Sequence, residues 1–598
     1  MVVLVAAGLA VSVAACGGGT ADASTTTTST SNPADPWVAG LGGTLTVGIA
    51  SAPTGCNPNS ASGDTWANDL VLEPVLPSAF FVGPNGTANY DSAVITQAEV
   101  VSTKPQTVVY TINPDAVWSD GVPISAADFE YAWREQRGEQ PNGTGSNTDV
   151  ASTLGYSRIK SVTGTNHGRT VTVIFKKAFA DWKMLFANLL PAHVMEQVGW
   201  DPGCTTVDPK IDLSGGPYKI GKVVPGQQVV LQRNPTWWGT MPNLDTIVIR
   251  TGSDAAQLAS WVDQRTVQVA LPNSFTPSFL EQVSSKPSVQ SASQVSTTFL
   301  QLEYSTTSTL TGQLAVRDAI SYMIDRQAIV NSVVGPINTA IVPAASHLYA
   351  QSQQPYPGPK PPPIQLSGLP GHAPPTTSAT PTPAQPWPLD ADTTTAAREL
   401  EGAGYGRQTT GHWVEPNGQP MNLRLAIDTG DGWAEEASLV LVRQLHQQGV
   451  TVTIVPAPNA ESAGLDLAGG VADAALLTFE GSPYPSNAIA WYTTLLGQPG
   501  VGGSQNWSNF DNPTLNATLL QASTELNPVD ADPLYTKADT MLWDQMIALP
   551  LFAEPAAMAW SSYTAGIGLN PNGPGLFWST ESWGLKVPAT SPDTAPST

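Results

Sequence analysis

Residues 107–133 read TVVYTINPDAVWSDGVPISAADFEYAW, and a strand, two turns and a helix are each specified within them. Val108, Tyr110 and Ile112 alternate with Thr107, Val109 and Thr111 in a β-branched and aromatic run, which predicts a strand with one buried face. Asn113-Pro114 and Asp120-Gly121 interrupt the run with turns. Ser125 followed by Asp128 fits a capping box, each side chain satisfying a free backbone N–H of the first helical turn. Phe129 and Trp133 then recur four residues apart. The product is a strand, turn and helix unit, which points to an α/β chain.

Other segments continue this alternation. Residues 43–50 (GTLTVGIA) predict a first strand, and residues 215–239 (GGPYKIGKVVPGQQVVLQRNPTWWG) predict strands that end in an Arg-Asn-Pro turn. In residues 315–330, Val316, Ala319, Ile320 and Met323 form a helical apolar stripe, and residues 396–405 (AARELEGAGY) predict a helix stopped by glycine. Residues 435–448 predict a helix with Leu439, Val442 and Leu445 at helical spacing, ended by Gly449 and followed by a strand over 450–455. At 598 residues, with 41% of them apolar, the chain exceeds one ordinary core, so two or three packed lobes are expected.

These segments, in this order, resemble the extracytoplasmic solute-binding proteins of family 5, the oligopeptide-, dipeptide- and nickel-binding components of ABC importers. The resemblance runs from about residue 43 to about residue 585. It implies a two-lobed periplasmic-binding-protein fold of class II with an extra third lobe and a central hinge. Lobe I would comprise residues 43–82, 212–300 and 550–590, lobe II residues 83–211 and lobe III residues 301–549, with 591–598 as a tail. Residues 351–392, which include Pro361, Pro362 and Pro363, are too rich in Pro, Ser and Thr to build a core and are expected to form an extended or disordered surface insertion.

The N-terminus is read separately. Residues 2–15 are apolar, too short to span a bilayer, and end in Val13-Ala14-Ala15-Cys16-Gly17, which resembles a bacterial lipobox. That implies a signal peptide over 1–15, a lipid on Cys16 and a small-polar tether to residue 42, although no Lys or Arg precedes the apolar run. A plain secretory peptide with an incidental cysteine is the alternative. The expected location is extracytoplasmic, on the outer face of the cytoplasmic membrane. Cys56 and Cys204 suit one disulfide in an oxidising compartment, with two free thiols as the alternative.

Composition bounds the partners. The formal charge of −23 arises from 25 basic and 48 acidic side chains, which argues against nucleic acid or anionic lipid as the ligand. Charged residues are only 12% of the chain, below the usual quarter or so, and leave a polar, uncharged surface. No G-x-S-x-G, G-x-x-x-x-G-K-[ST] or H-E-x-x-H pattern occurs, and the six histidines are scattered. Neither catalysis nor a metal or cofactor is therefore expected, and function falls to binding.

In peptide-binding members of the family, an aromatic residue at the end of a lobe III strand is followed three positions later by an aspartate that pairs with the ligand's amino group. The corresponding segment here is 475–491 (ALLTFEGSPYPSNAIAW). With Phe479 as the aromatic residue, Ser482 stands where the aspartate would be. The expected ligand residues are Phe479, Tyr484 and Trp491 as stacking surfaces, and Glu480, Ser482 and Asn487 as polar groups. Residues 297–302 (TTFLQL) would cross between lobes and offer their backbone to an extended peptide. The implied function is a monomeric substrate-binding lipoprotein that delivers a peptide or peptide-like ligand to an ABC permease. The alternative is a transport-independent lipoprotein acting in cell-envelope biogenesis or protein interaction.

Overall fold

The computed structural model describes residues 37–84, 86–138, 147, 149–200, 213–273, 277–349, 351, 387–481, 483–500, 503–573 and 575–588. Ten strands form one sheet: β1 (Thr44–Ile49), β2 (Tyr218–Val224), β3 (Gln228–Arg233), β4 (Thr246–Thr251), β5 (Val269–Leu271), β6 (Val289–Tyr304), β7 (Asn422–Asp428), β8 (Thr451–Ala457), β9 (Ala474–Phe479) and β10 (Ala548–Ser561). Their order across the sheet is β8-β7-β9-β6-β10-β5-β1-β4-β3-β2. Leu45, Val47 and Ile49 of β1 are fully buried at alternate positions, as a strand flanked on both sides requires. At the other end β8, β7 and β9 run parallel, and helices Gly432–Gln447 and Ala460–Ala468 provide the crossovers.

Only β6 and β10 belong to both ends of the sheet. They are antiparallel partners from Val289↔Ser561 to Glu303↔Ala548, and the pairing slips midway. Val295 pairs with Pro555 and Phe299 with Ala553, so β6 carries surplus residues at Ser296–Thr298. Side chains hold this bulge. Ser296 Oγ donates to the Glu554 carbonyl at 2.8 Å, and Thr297 Oγ1 donates to the Gly481 carbonyl at 2.7 Å. The bulge thus lies in the two strands that join the halves.

The opening motif builds a second, four-stranded antiparallel sheet, in the order Ile95–Thr103, Gln106–Ile112, Thr170–Phe175, Ile159–Thr165. Val108, Tyr110 and Ile112 are buried on its inner face. The capping box is present at the start of helix Ala126–Gln136. Asp128 accepts from the Ser125 N–H at 2.8 Å, and its other oxygen accepts from the Ala192 N–H at 2.9 Å, which ties this helix to helix Ala192–Val198.

The predicted helix pair is Leu314–Tyr322 and Arg326–Val333, and Val316, Ala319, Ile320 and Met323 are all buried. Two expectations are corrected. Leu439 is 61% exposed, because the buried stripe of its helix runs through Ala434, Ala437, Leu441 and Leu445, while of the other two residues read in the sequence Leu445 is buried and Val442 packs partly buried against the core. The end of the 351–392 segment is packed rather than free. The Trp387 ring lies 4.4 Å from Tyr322, and the Trp387 and Pro388 carbonyls accept from the buried guanidinium of Arg326. Residues 352–386 of that segment, like residues 1–36 with Cys16, and like Cys204, lie outside the described residues. Cys56 is disulfide-bonded. Among the described residues no helix is long and apolar enough to cross a membrane.

Candidate ligand-binding cleft

β9 carries the predicted site residues toward the junction of the two halves. Phe479 is its last residue and is 3% exposed. Its ring stacks on Phe299 at 5.9 Å and meets Trp491 edge-on at 5.3 Å, and Trp491 is 6% exposed. Phe479 and Trp491, expected to stack on a ligand, pack instead against each other and Phe299. An aromatic pair at this spacing serves as core as readily as it serves a pocket. Tyr484 and Asn487 are half-buried at the 3-10 turn Pro485–Asn487. Burial, followed by the neighbouring charge of Asp181, pushes the Tyr484 phenol above its ordinary range. Asp181 also accepts from the Ser486 N–H at 2.9 Å. Ser482 lies outside the described residues.

The strand-addition route is also corrected. From Phe299 to Glu303, β6 pairs with β9 on one side and β10 on the other, so this stretch has no free edge for a peptide. The chain leaves the ladder at Glu480, next to the bulge.

Glu480 lies within electrostatic reach of carboxylates that come from the far end of the chain. Asp64 precedes helix Trp66–Leu72, and Asp69 lies within it. Burial, followed by the charges of Asp64, Glu480 and Glu73, pushes the Asp69 carboxyl up to about 9. Burial, followed by Asp64, pushes Glu480 to about 7, and burial raises Asp64 to about 6. Asp64 and Glu480 nevertheless retain exposed surface. Asp69 also accepts from the Asn188 amide at 3.4 Å, so the unit of the four-stranded sheet reaches the same place.

Among the described residues, none of Asp64, Asp69 and Glu480 has a Lys or Arg within ion-pair distance. Nor does any group of three His, Cys, Asp or Glu have metal-holding geometry there. Sequence reading reached Glu480 but missed Asp64 and Asp69, since no local pattern joins residues so far apart in the chain.

The units are held together beyond the cleft. Arg158, beside the four-stranded sheet, donates to Ser523 Oγ at 2.9 Å and to the Ala178 carbonyl at 3.1 Å. The Ala180 N–H donates to the Ser523 carbonyl at 2.8 Å. One continuous apolar cluster runs from Val108 and Phe129 to Phe479, Trp491 and Tyr535.

Comparison with known proteins agrees with this architecture. Residues 90–499 match the family model for bacterial extracellular solute-binding proteins, family 5 Middle. The chain is 27% identical over 561 residues to the oligopeptide-binding protein OppA of Mycobacterium tuberculosis, covering 92% of this chain and 86% of that one. It is 26% identical over 427 residues to the Probable monoacyl phosphatidylinositol tetramannoside-binding protein LpqW of the same species, covering 69% and 64%. Among solved structures it resembles the periplasmic EDTA-binding protein EppA, with a TM-score of 0.79 and 25% identity over 92% of this chain and 97% of that one. Lactococcal OppA, complexed with an endogenous peptide in the closed conformation, shares the fold with a TM-score of 0.69 at 18% identity, over 91% and 100%. The match of the family model over well over half of the chain, with a fold shared over nine-tenths of it, places this protein, a binder and not an enzyme, among the bacterial extracellular solute-binding proteins of family 5.

Proposed function

We propose that this chain captures an oligopeptide or a peptide-like solute with a cationic group, outside the membrane, and delivers it to the permease of an ABC importer from a lipid anchor on Cys16. The observation that supports the reading is the mutual electrostatic influence of Asp64, Asp69 and Glu480, which belong to opposite halves of the sheet and have no cationic partner among the described residues. An amino or guanidinium group seated there would discharge three mutually repelling acids and draw the halves together. Glu480 thereby takes over the task of the aspartate that Ser482 replaces, and Tyr484 and Asn487 supply hydrogen bonds at the rim. The working unit is a monomer.

The relative named for a phosphatidylinositol mannoside supports a second reading, a transport-independent lipoprotein of cell-envelope biogenesis. The acidic wall weighs against it, because a phosphodiester would meet like charge. Native mass spectrometry of protein purified from its own cells separates the two. Copurified peptides of mixed sequence support the import reading, and a bound glycolipid supports the other. In titrations with the recovered peptides, acetylation of the terminal amine or Glu480→Gln is expected to weaken binding about tenfold (~1.4 kcal/mol). Unchanged affinity in both would remove the cation-binding role.

A further inference from the structure

Thr478, on β9, places Oγ1 2.6 Å from Asp431 Oδ2 and 2.7 Å from Glu554 Oε1. A threonine hydroxyl carries one proton. It can donate to one carboxylate, and a second carboxyl oxygen at this distance must then bring a proton of its own. Burial raises the Asp431 carboxyl too, but its cap of helix Gly432–Gln447, where it accepts from the Trp433 and Ala434 N–H groups at 2.9 and 3.4 Å, favours its ionised form over that of Glu554. The extra proton therefore sits on Glu554, which donates to Thr478, which donates to Asp431. Glu554 is only 8% exposed, and burial followed by the charge of Asp431 favours its neutral form.

The place of this chain of hydrogen bonds gives it mechanical meaning. Glu554 lies in β10 beside the bulge, where its own carbonyl accepts from Ser296 Oγ, whereas Thr478 and Asp431 belong to the β7–β9 half. The ionisable groups around it are all acidic: Asp431 and Glu480 act on Glu554, Asp428 on Asp431, and Asp64 on Glu480. No Lys or Arg forms an ion pair with any of them among the described residues.

We propose that the proton shared along Glu554, Thr478 and Asp431 pins the hinge in the arrangement seen here, and that its loss as pH rises releases the halves to open. Loss of the proton leaves two buried carboxylates facing one hydroxyl. Their repulsion pushes the crossing strand away from the β7–β9 half at the point where its ladder is already slipped. The device is independent of which solute the cleft takes.

Small-angle X-ray scattering of the full-length chain without added ligand, from about pH 5 to about pH 9, tests it across the range that spans ordinary and raised carboxylates. The radius of gyration of the parent protein should rise with pH. Glu554→Gln, whose amide donates to Thr478 as the neutral acid does, should stay compact throughout. The infrared carbonyl band of neutral carboxylic acids should be weaker by one group in the variant than in the parent protein at about pH 5, since Asp69 and Glu480 also hold protons there. Thr478→Ser should retain the parent pH profile, and Thr478→Val should lose it, which decides the matter even if Glu554→Gln does not fold. A parent protein whose dimensions ignore pH, or a Glu554→Gln profile that matches it, overturns the proposal.

Discussion

Arg326 shows how a single side chain can organise a region. It has no exposure to water, and it donates to the carbonyls of Ala344, Pro550, Trp387 and Pro388, drawing together a helix start, β10 and the return of the 351–392 segment. Arg326→Met is expected to cost about 3–5 kcal/mol in denaturant unfolding, because it leaves several buried carbonyls without donors. The charge of this residue is visible in the sequence, but its carbonyl cage is not, since backbone acceptors have no letter. Glu480 has the opposite history, being legible as a polar residue beside an expected aromatic one, with partners, Asp64 and Asp69, that only folding reveals. The raised pKa values of these acids have a definite sign. The folded chain retains protons that the unfolded chain releases near pH 4, so their contribution to stability is fully present below that and is lost as pH rises through about 6, 7 and 9. Glu480→Gln should therefore come nearest the parent melting temperature at about pH 4 and exceed it by a margin that grows up to about pH 7. A parallel offset at every pH would show that Glu480 does not titrate in this range.

Elements with local rules were the most legible. Residues 107–112 and the Ser125 cap obey period-two burial and capping-box chemistry that a few adjacent letters encode. Ser125→Ala should cost about 1 kcal/mol, read as a shift of the urea midpoint at constant slope. The helix at 432–447 was found in the right place, with Leu445 rightly inward and Leu439 wrongly so. Ala434, Ala437 and Ser438 are buried there, and small residues contribute little to an apolar stripe drawn from the larger side chains. The bulge at Ser296–Thr298 had no sequence signal, since its two stapling hydroxyls belong to an ordinary Ser-Thr-Thr run. Beside it, a Cβ at Gly481 would overlap the Thr297 carbonyl oxygen. Gly481→Ala should therefore displace the loop that carries Glu480 and weaken ligand binding at least about tenfold with little change in the β-sheet signal of circular dichroism; unchanged affinity would show that the loop is free to move.

At the scale of the molecule, two kinds of junction coexist. The strands β6 and β10 make one covalently continuous sheet, whereas the contact of Arg158 with Ser523 joins units that are remote in sequence. Arg158→Ala should speed ligand release and leave the association rate nearly unchanged, measured by stopped-flow fluorescence, because contacts across a closed face act mainly on dissociation. Equal effects on both rates would place Arg158 outside the closing motion. The α/β class and the family were legible because many local segments agree in order, while the meeting of distant halves had to be seen. β10, which lies between β6 and β5 in the middle of the sheet, is supplied by residues 548–561, near the end of the chain. Until those residues have been made, each half of the sheet can pair within itself but no strand joins the two. The union of the halves is therefore among the last events open to a growing chain, and a truncation before residue 548 would leave two half-sheets with exposed edges.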